Sequence, residues 1–526
     1  MGEYIMRSTF GGLNTMVRGL SANQMSLDTV GHNITNASVD GYSRQNVNLG
    51  ATDSQSVASM YGYSQLGTGV DAISITRARD VFADKAFWND NSNLSYSDAR
   101  QTNYDKLEAL YNDSTDTGLQ SNINKFWSSW KALATDAGSS TTTTTRKTVR
   151  DTGDQLAQTL QSATKQTQTL ISDNNSQIKL QVNAVNELTT NILALNKQIL
   201  KSEANGSMAN DLRDSRDKAV DNLSKLVQVT VDQKSNGTYA VISNGNTLVD
   251  ANNRLTLKVT DTANASYGVM DSTITIAETN GAYDPGNGEI KGLQDSTSEN
   301  KSYIDKIAAM SSYLLVTFND QHKAGYDLTN TTTSTTTPVP SNNNFFGESN
   351  GTTYDAYTYD AAGNTKKTST VAGVTGTATT LNAIDIIHNL NVNSKIMADG
   401  GTSYIAAGAA GDGPAGASNA TLLGGLLHDT AATTGPLTNT TFAAYYTGVT
   451  NTLGSDSQAR DSTVTNQQDI LTVTNNWRSS TSGVNWDEEL TNMIKFQKGY
   501  SASARCLTTM DEMLDKLINS TGMVGR

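Results

Sequence analysis

Apolar residues set a clear rhythm at the start of the chain. Leu13, Leu20, Leu27 and Ile34 stand seven apart, Met16 and Val30 follow Leu13 and Leu27 by three, and polar Asn23 takes the matching place after Leu20. This is the a/d stripe of a coiled-coil helix over about residues 8–35. Asn14, Arg18, Ser21 and Asp28 form its polar side. The end of the chain has the same rhythm: Met493, Phe496, Tyr500, Ser503, Leu507, Met510, Leu514 and Leu517 hold one register over 487–519. Asp487, Glu488 and Glu489 open that helix, where the helix dipole favours anions. Neither stripe is buried by its own helix. Pairing one with the other is the simplest solution, and it brings the two chain ends together.

Between them the pattern changes several times. Residues 45–76 read as mixed and extended, with a turn at Gln65-Leu-Gly-Thr-Gly-Val70 and a strand over 70–75. Helical spacing then predicts 77–110, 119–134, a long helix over 146–204 and another over 210–226. The long helix carries Ile178, Val185, Ile192 and Ile199 at seven-residue spacing, and the threonines 141–145 cap or precede it. Alternation predicts strands over 227–231, 238–242, 255–259 and 272–277, joined by Asn-Gly and Asp-Asn turns. A helix follows over 298–322, then a threonine-rich solvated loop at 331–337 and short strands within 341–380. Short helices fall at 383–388 and 417–428, and a long one at 438–478.

Composition sharpens this picture. All five prolines lie between Pro285 and Pro436, and proline costs about 3 kcal/mol inside a helix. Two proline-free helical arms therefore flank a different middle. The fold class is α+β and elongated: terminal helices paired as a coiled coil, a long α-helical bundle, and a β-rich domain inserted near the middle. The corresponding division is 7–50 with 483–520 for the arm, 51–230 with 293–326 and 381–482 for the bundle, and 231–292 with 327–380 for the inserted outer domain.

The chemistry points away from catalysis. One cysteine and four scattered histidines in 526 residues argue against a disulfide framework or a Cys- or His-rich metal site. A net charge of −13 argues against nucleic acid as main partner. No run approaches the ~18 apolar residues of a membrane span, and the start lacks a cleaved secretory signal. The motifs of zinc proteases, serine hydrolases and P-loops are missing. Asp284-Pro-Gly-Asn-Gly-Glu289 lacks the alternating acids of a calcium loop and reads as a tight turn. Cys506 reads as a small buried residue on a helix flank.

Val30-Gly-His-Asn-Ile-Thr-Asn-Ala-Ser-Val-Asp-Gly-Tyr-Ser-Arg-Gln45 resembles the asparagine-asparagine-isoleucine-alanine-asparagine … glycine-tyrosine signature of bacterial flagellar rod, hook and hook-associated proteins. The residues that carry it are Asn33, Ile34, Asn36, Gly41, Tyr42, Ser43 and Arg44. The last helix, entered through Gly483, Val484, Asn485, Asp487 and Glu488, is similar to the C-terminal motif of the same group. His32 stands where that family usually has asparagine, and Ser38-Val39-Asp40 stands where it often has Asn-Thr-Pro. The Ser-Arg after Gly-Tyr favours the hook-associated members.

The resemblance implies a structural axial protein of the bacterial flagellum, secreted by type III flagellar export and placed at the hook–filament junction. It implies self-assembly as a ring or short helical layer through the terminal helices. The neighbours implied are the hook protein and hook-associated protein 3 (FlgL), with the export chaperone FlgN on the C-terminal helix. No cofactor or membrane insertion is implied.

Blander readings stand beside these. Tyr42, Arg44, Asn33 and Asn36 serve equally as turn and cap residues, and the acidic start of the last helix as a solvated N-terminus. Competing functions are another axial protein (hook or rod), or a surface-exposed hydrolase or adhesin carried in 231–380. That insertion holds one histidine, His322, and no cysteine, which leaves a carboxylate-only glycosidase among its few catalytic options.

Overall fold

The computed structural model describes residues 11–59, 62–111, 118–136, 142–329, 341–348, 353–371, 374–430 and 435–520. The threonine-rich run 331–337 lies outside them. The first stripe forms α1 (Gly11–Asn36). The chain then runs out and back through β1 (Gln45–Ala51), the hairpin β2 (Gln55–Ser59) and β3 (Gly62–Leu66), and β4 (Val70–Arg77). β1 and β4 pair antiparallel, with an irregularity in register at Asn48/Leu49.

Four helices follow: α2 (Val81–Tyr111), α3 (Leu119–Thr135), α4 (Thr142–Ser202) and α5 (Asn210–Leu226). With 61 residues, α4 is about 90 Å long at ~1.5 Å per residue. Of the threonines read as capping or preceding α4, Thr141 lies outside the described residues. Thr142 to Thr145 form its first turn, and the hydroxyls of Thr148 and Thr152 donate to the carbonyls four residues back, a bond that lets threonine sit within a helix.

The chain next builds β5 (Thr230–Gln233), β6 (Tyr239–Ser243) and β7 (Asn246–Val249) as one three-stranded sheet, then the hairpin β8 (Leu257–Asn264) and β9 (Val269–Ile276). α6 (Glu289–Tyr313) starts at Glu289, not at Ser298. Gly292 lies in these earlier turns. That glycine is a packing residue, because a Cβ there would lie 2.7 Å from the Tyr96 carbonyl oxygen of α2. A π turn at Leu314–Phe318 leads into α7 (Asn319–Ala324).

β10 (Thr353–Tyr359), β11 (Thr365–Val371), β12 (Val374–Thr375) and β13 (Thr379–Thr380) form a small antiparallel sheet around β11. Short α8 (Ala383–His388), α9 (Ser394–Met397) and α10 (Ser418–Gly425) precede the closing pair α11 (Phe442–Ser482) and α12 (Trp486–Ser520).

Two cores hold the body, and α4 runs through both. One gathers Phe126, Trp127 and Trp130 of α3 with Phe318, Phe345, Phe346 and Phe442. In the other, Ile178, Val185 and Ile192 of α4 meet Val220 and Leu223 of α5 and Val241, Leu248 and Ile274 of the strands. Each such side chain contributes about 1.5–3 kcal/mol by leaving water. α11 lies along α2 and carries the chain back to α1, which pairs with α12.

Candidate functional site

The arm is an antiparallel helix pair whose register follows from three contacts. A Cβ on Gly19 would touch Ser503 Oγ at 3.5 Å, and one on Gly499 would lie 2.5 Å from Asn23 Oδ1. Asn33 Nδ2 donates to Glu489 Oε2 at 3.2 Å. One register satisfies all three. It sets Leu13, Met16, Leu27 and Val30 across from Met510, Leu507, Phe496 and Met493. Leu20, Ile34, Tyr500 and Leu514 lie on the same seam, and all of these side chains are partly or fully buried. The Leu517 side chain lies outside the described ones. Asn23 fits the stripe because Gly499 leaves it room, and its Nδ2 donates to the Gly19 carbonyl at 2.7 Å.

The arm seals one seam only. Leu490 and Ile494 on α12 remain exposed, Ile494 at 59 %. On α11, Ile470, Val473 and Trp477 form a single row at i, i+3 and i+7 and are also uncovered, Val473 at 69 %. Cys506 is exposed, not buried. It precedes Leu507 of the seam by one residue, which turns it about 100° away from the partner helix.

The two signature stretches meet where the arm joins the body. Asn33 is not a turn residue. It is buried at the end of α1, accepts from Gln45 N at 2.9 Å and Tyr42 Oη at 2.8 Å, and donates to Gln45 O at 2.9 Å. Asn36 Nδ2 donates to the His32 carbonyl at 3.0 Å. His32 Nδ1 lies 3.0 Å from Tyr42 Oη. Burial, then Asp211, Asp214 and Glu489, push the Tyr42 hydroxyl up, so it stays a donor. Gly41 takes φ +85, the left-handed turn that glycine favours. Ser43 N donates to Asp214 Oδ2 at 3.0 Å.

Arg44 ties the N-terminal signature to the C-terminal one. Its backbone N donates to Ser482 O at 2.9 Å, and its guanidinium meets Glu488 at 2.8 Å and Glu489 at 2.7 Å. The Glu488 hydrogen bond leads in holding the Arg44 pKa above its ordinary value, and Arg44 in turn holds the Glu488 carboxyl down. The acidic start of α12 is therefore only partly solvated, since Glu489 is buried. Asn485 caps this helix by accepting from Asp487 N at 3.0 Å. Gly483 passes so close to α11 that a Cβ would lie 2.5 Å from Ser479 O. Val484 is half-buried, while Asp487 faces solvent.

Beneath the signature lies an ion cluster that the sequence reading missed. Arg77 reaches Asp214 at 2.6 Å and Asp217 at 2.7 Å. Arg79 holds both oxygens of Asp84 at 2.8 Å. Arg478 of α11 bridges Asp84 at 2.9 Å and Asp221 at 2.7 Å. Burial opposes the charge on Asp217, but Arg79, Arg77 and Arg216 outweigh it and hold the carboxyl below its usual range. For Asp221 burial wins over Arg478, and the carboxyl is pushed up. One signal was available: Asp214, Asp217 and Asp221 are spaced 3 and 4 apart, one face of α5, against Arg77 and Arg79 on one side of an extended chain.

Among the described residues, no group of three His, Cys, Asp or Glu side chains is placed to hold a metal ion, and no helix is long and apolar enough to cross a membrane. The site consists of a paired-helix arm, uncovered apolar rows and a salt-bridged joint.

Comparison with known proteins places this architecture. Residues 478–520 match the flagellar basal body rod FlgEFG protein C-terminal family, and residues 104–335 match the helical domain of flagellar hook-associated protein FlgK. The chain is thus a flagellar hook-associated axial protein. Flagellar hook-associated protein 1 of Bacillus subtilis (strain 168) is 31 % identical over 99 % of this chain and 100 % of its own. The protein of the same name from Escherichia coli (strain K12) is 24 % identical, over 96 % and 99 %. The chain belongs to the flagellar hook-associated protein 1 family. A solved structure, the flagellar hook junction protein FlgK from Burkholderia pseudomallei, shares the fold at TM-score 0.57 and 16 % identity, covering 75 % of this chain and 100 % of that one.

Proposed function

We propose that this chain forms the junction between hook and filament, a structural rather than catalytic role. Copies assemble side by side through the terminal arm, with the hook protein on one side and hook-associated protein 3 on the other. The stripe residues from Leu13 to Ile34 and from Met493 to Leu517 build the arm, and the signature residues fix it to the body. The observation that carries this reading is the arm's second apolar surface. Leu490 and Ile494 stay exposed after the α1–α12 seam is closed, and the α11 row adds Ile470, Val473 and Trp477. Uncovered apolar rows of this kind mark contact surfaces. A two-helix arm is also marginal alone and gains from lateral packing. Before assembly, the export chaperone FlgN shields the last helix, and the chain leaves by type III flagellar export with an uncleaved N-terminal signal.

The test is electron microscopy of isolated hooks mixed with the purified protein. Ordered density is expected only at the distal hook end, and a chain lacking 483–526 should add none. A folded full-length protein that never joins the hook tip overturns the junction reading.

A further inference from the structure

Two uncovered rows of this chain match each other. On α11, Asp469, Val473 and Trp477 stand at i, i+4 and i+8, with Ile470 beside them. On α12, Leu490, Ile494 and Lys498 have the same spacing. Each row is about 12 Å long at ~1.5 Å per residue. Val473, Trp477, Leu490 and Ile494 are 46–69 % exposed. Asp469 and Lys498 are exposed too, and neither has a hydrogen-bond or ion-pair partner among the described residues. α11 packs on α2 and α12 on α1 through other faces, so the rows do not cover each other within one chain. The seam with α1 and the Arg44 joint hold α12 in that place, which leaves a second copy to supply the complementary row.

Rows of this spacing are the ridges that interlock when two helices cross at about 50°. Charge sets the direction. Antiparallel, Val473 meets Ile494 and Trp477 meets Leu490, while Asp469 faces Lys498. Parallel, Asp469 moves toward Asp487 at the acidic start of α12, and Lys498 has no acid opposite it. Because the two rows differ, copies join head to tail, each offering α11 to one neighbour and α12 to the other. A contact of that kind propagates as a ring or a helix instead of closing as a pair.

We propose that the α11 row of one copy receives the α12 row of the next, antiparallel, with Asp469 against Lys498. The inference rests on the self-assembly reading above and deepens it by naming the partner of each row.

The test uses the full chain added to isolated hooks. In a Cys506→Ser background, Val473→Cys chains mixed with Ile494→Cys chains should form a disulfide between copies in the assembled cap, and neither population alone should. Asp469→Lys and Lys498→Asp, each with unchanged circular dichroism, should each cap hooks about fivefold less at equal concentration. The exchanged chain, Asp469→Lys/Lys498→Asp, should regain most of that loss. No mixed disulfide in a formed cap, equal cross-linking within one population, or no recovery in the exchanged chain overturns this contact and leaves the junction reading standing. A photo-crosslinking residue at position 477 that captures the hook protein alone overturns it as well. If the unaltered chain forms no cap at all, the junction reading fails, and this inference fails with it.

Discussion

Arg44 and Glu489 are 445 positions apart in the chain and 2.7 Å apart in space. Glu489 is almost fully buried, so its charge is tolerable only because Arg44 faces it and Asn33 donates to it. Arg44→Met keeps the stem and removes the guanidinium. It should weaken the joint by about 3 kcal/mol, the scale for orphaning one member of a buried pair. Hydrogen exchange is the direct measurement: amides in the first turns of α12 should exchange much faster, while those of α4 should not change. Equal acceleration in both would mean that Arg44 supports the whole fold rather than the joint.

A second residue sets a pH limit on the body. His322 is fully buried against Trp130 and Phe345. Its Nδ1 lies 2.9 Å from Asn343 O, and Nε2 accepts from Ala406 N at 3.0 Å, so the neutral ring with the proton on Nδ1 fits both partners. Burial pushes its pKa down to about 4. The unfolded chain, near the ordinary value of about 6.5, then binds more protons than the folded one between these limits. Stability from this group is present above about pH 6.5 and is lost as pH falls toward about 4. At pH 5 the loss should be about 2 kcal/mol. Urea unfolding at pH 7 and pH 5 checks it, and His322→Asn should flatten that part of the pH dependence. An unchanged slope in the variant would remove His322 as its cause.

At the scale of elements, the arm was the most legible part of the sequence. Seven-residue spacing in Leu13 to Ile34 and in Met493 to Leu514 reports one helix face directly, and both faces are where the helices meet. α8 and the stripe of α4 were equally open, because local periodicity determines them. Boundaries failed where a long-range contact decided. α6 starts at Glu289 rather than Ser298, in turns where Gly292 meets the Tyr96 carbonyl of α2. The joint was the least legible site, since apart from Arg79–Asp84 its ion pairs join residues distant in sequence. The register of the arm can be tested at Gly499. A leucine there has no space opposite Asn23, whose Oδ1 would lie 2.5 Å from the Cβ. Gly499→Leu should separate the distal parts of α1 and α12, whereas Gly499→Leu combined with Asn23→Gly should restore the pair. Disulfide formation between Gly19→Cys and Ser503→Cys, in a Cys506→Ser background, reports it. Efficient cross-linking in the single leucine variant would refute this register.

For the whole molecule, the distribution of burial predicts how it comes apart. Among the described side chains, the fully buried apolar residues of α1 are Ala22 and Val30, and α12 has none. Both cores of the body lie between Trp88 and Leu453. The arm thus holds 26 residues of α1 and 35 of α12 on a partly buried seam plus the joint, while the body rests on two closed cores. Helix pairs of this kind depend on tertiary contact for their stability. Heating the full chain should therefore remove helix in two steps, the arm first and the body later. Deleting 483–526 should abolish the first step and leave the second within a few degrees, because no core residue is lost. Circular dichroism at 222 nm with calorimetry on both chains is the measurement. One cooperative transition that moves down as a whole on truncation would show the arm to be part of the body's folding unit, and lateral packing in an assembly would then not be needed to hold it.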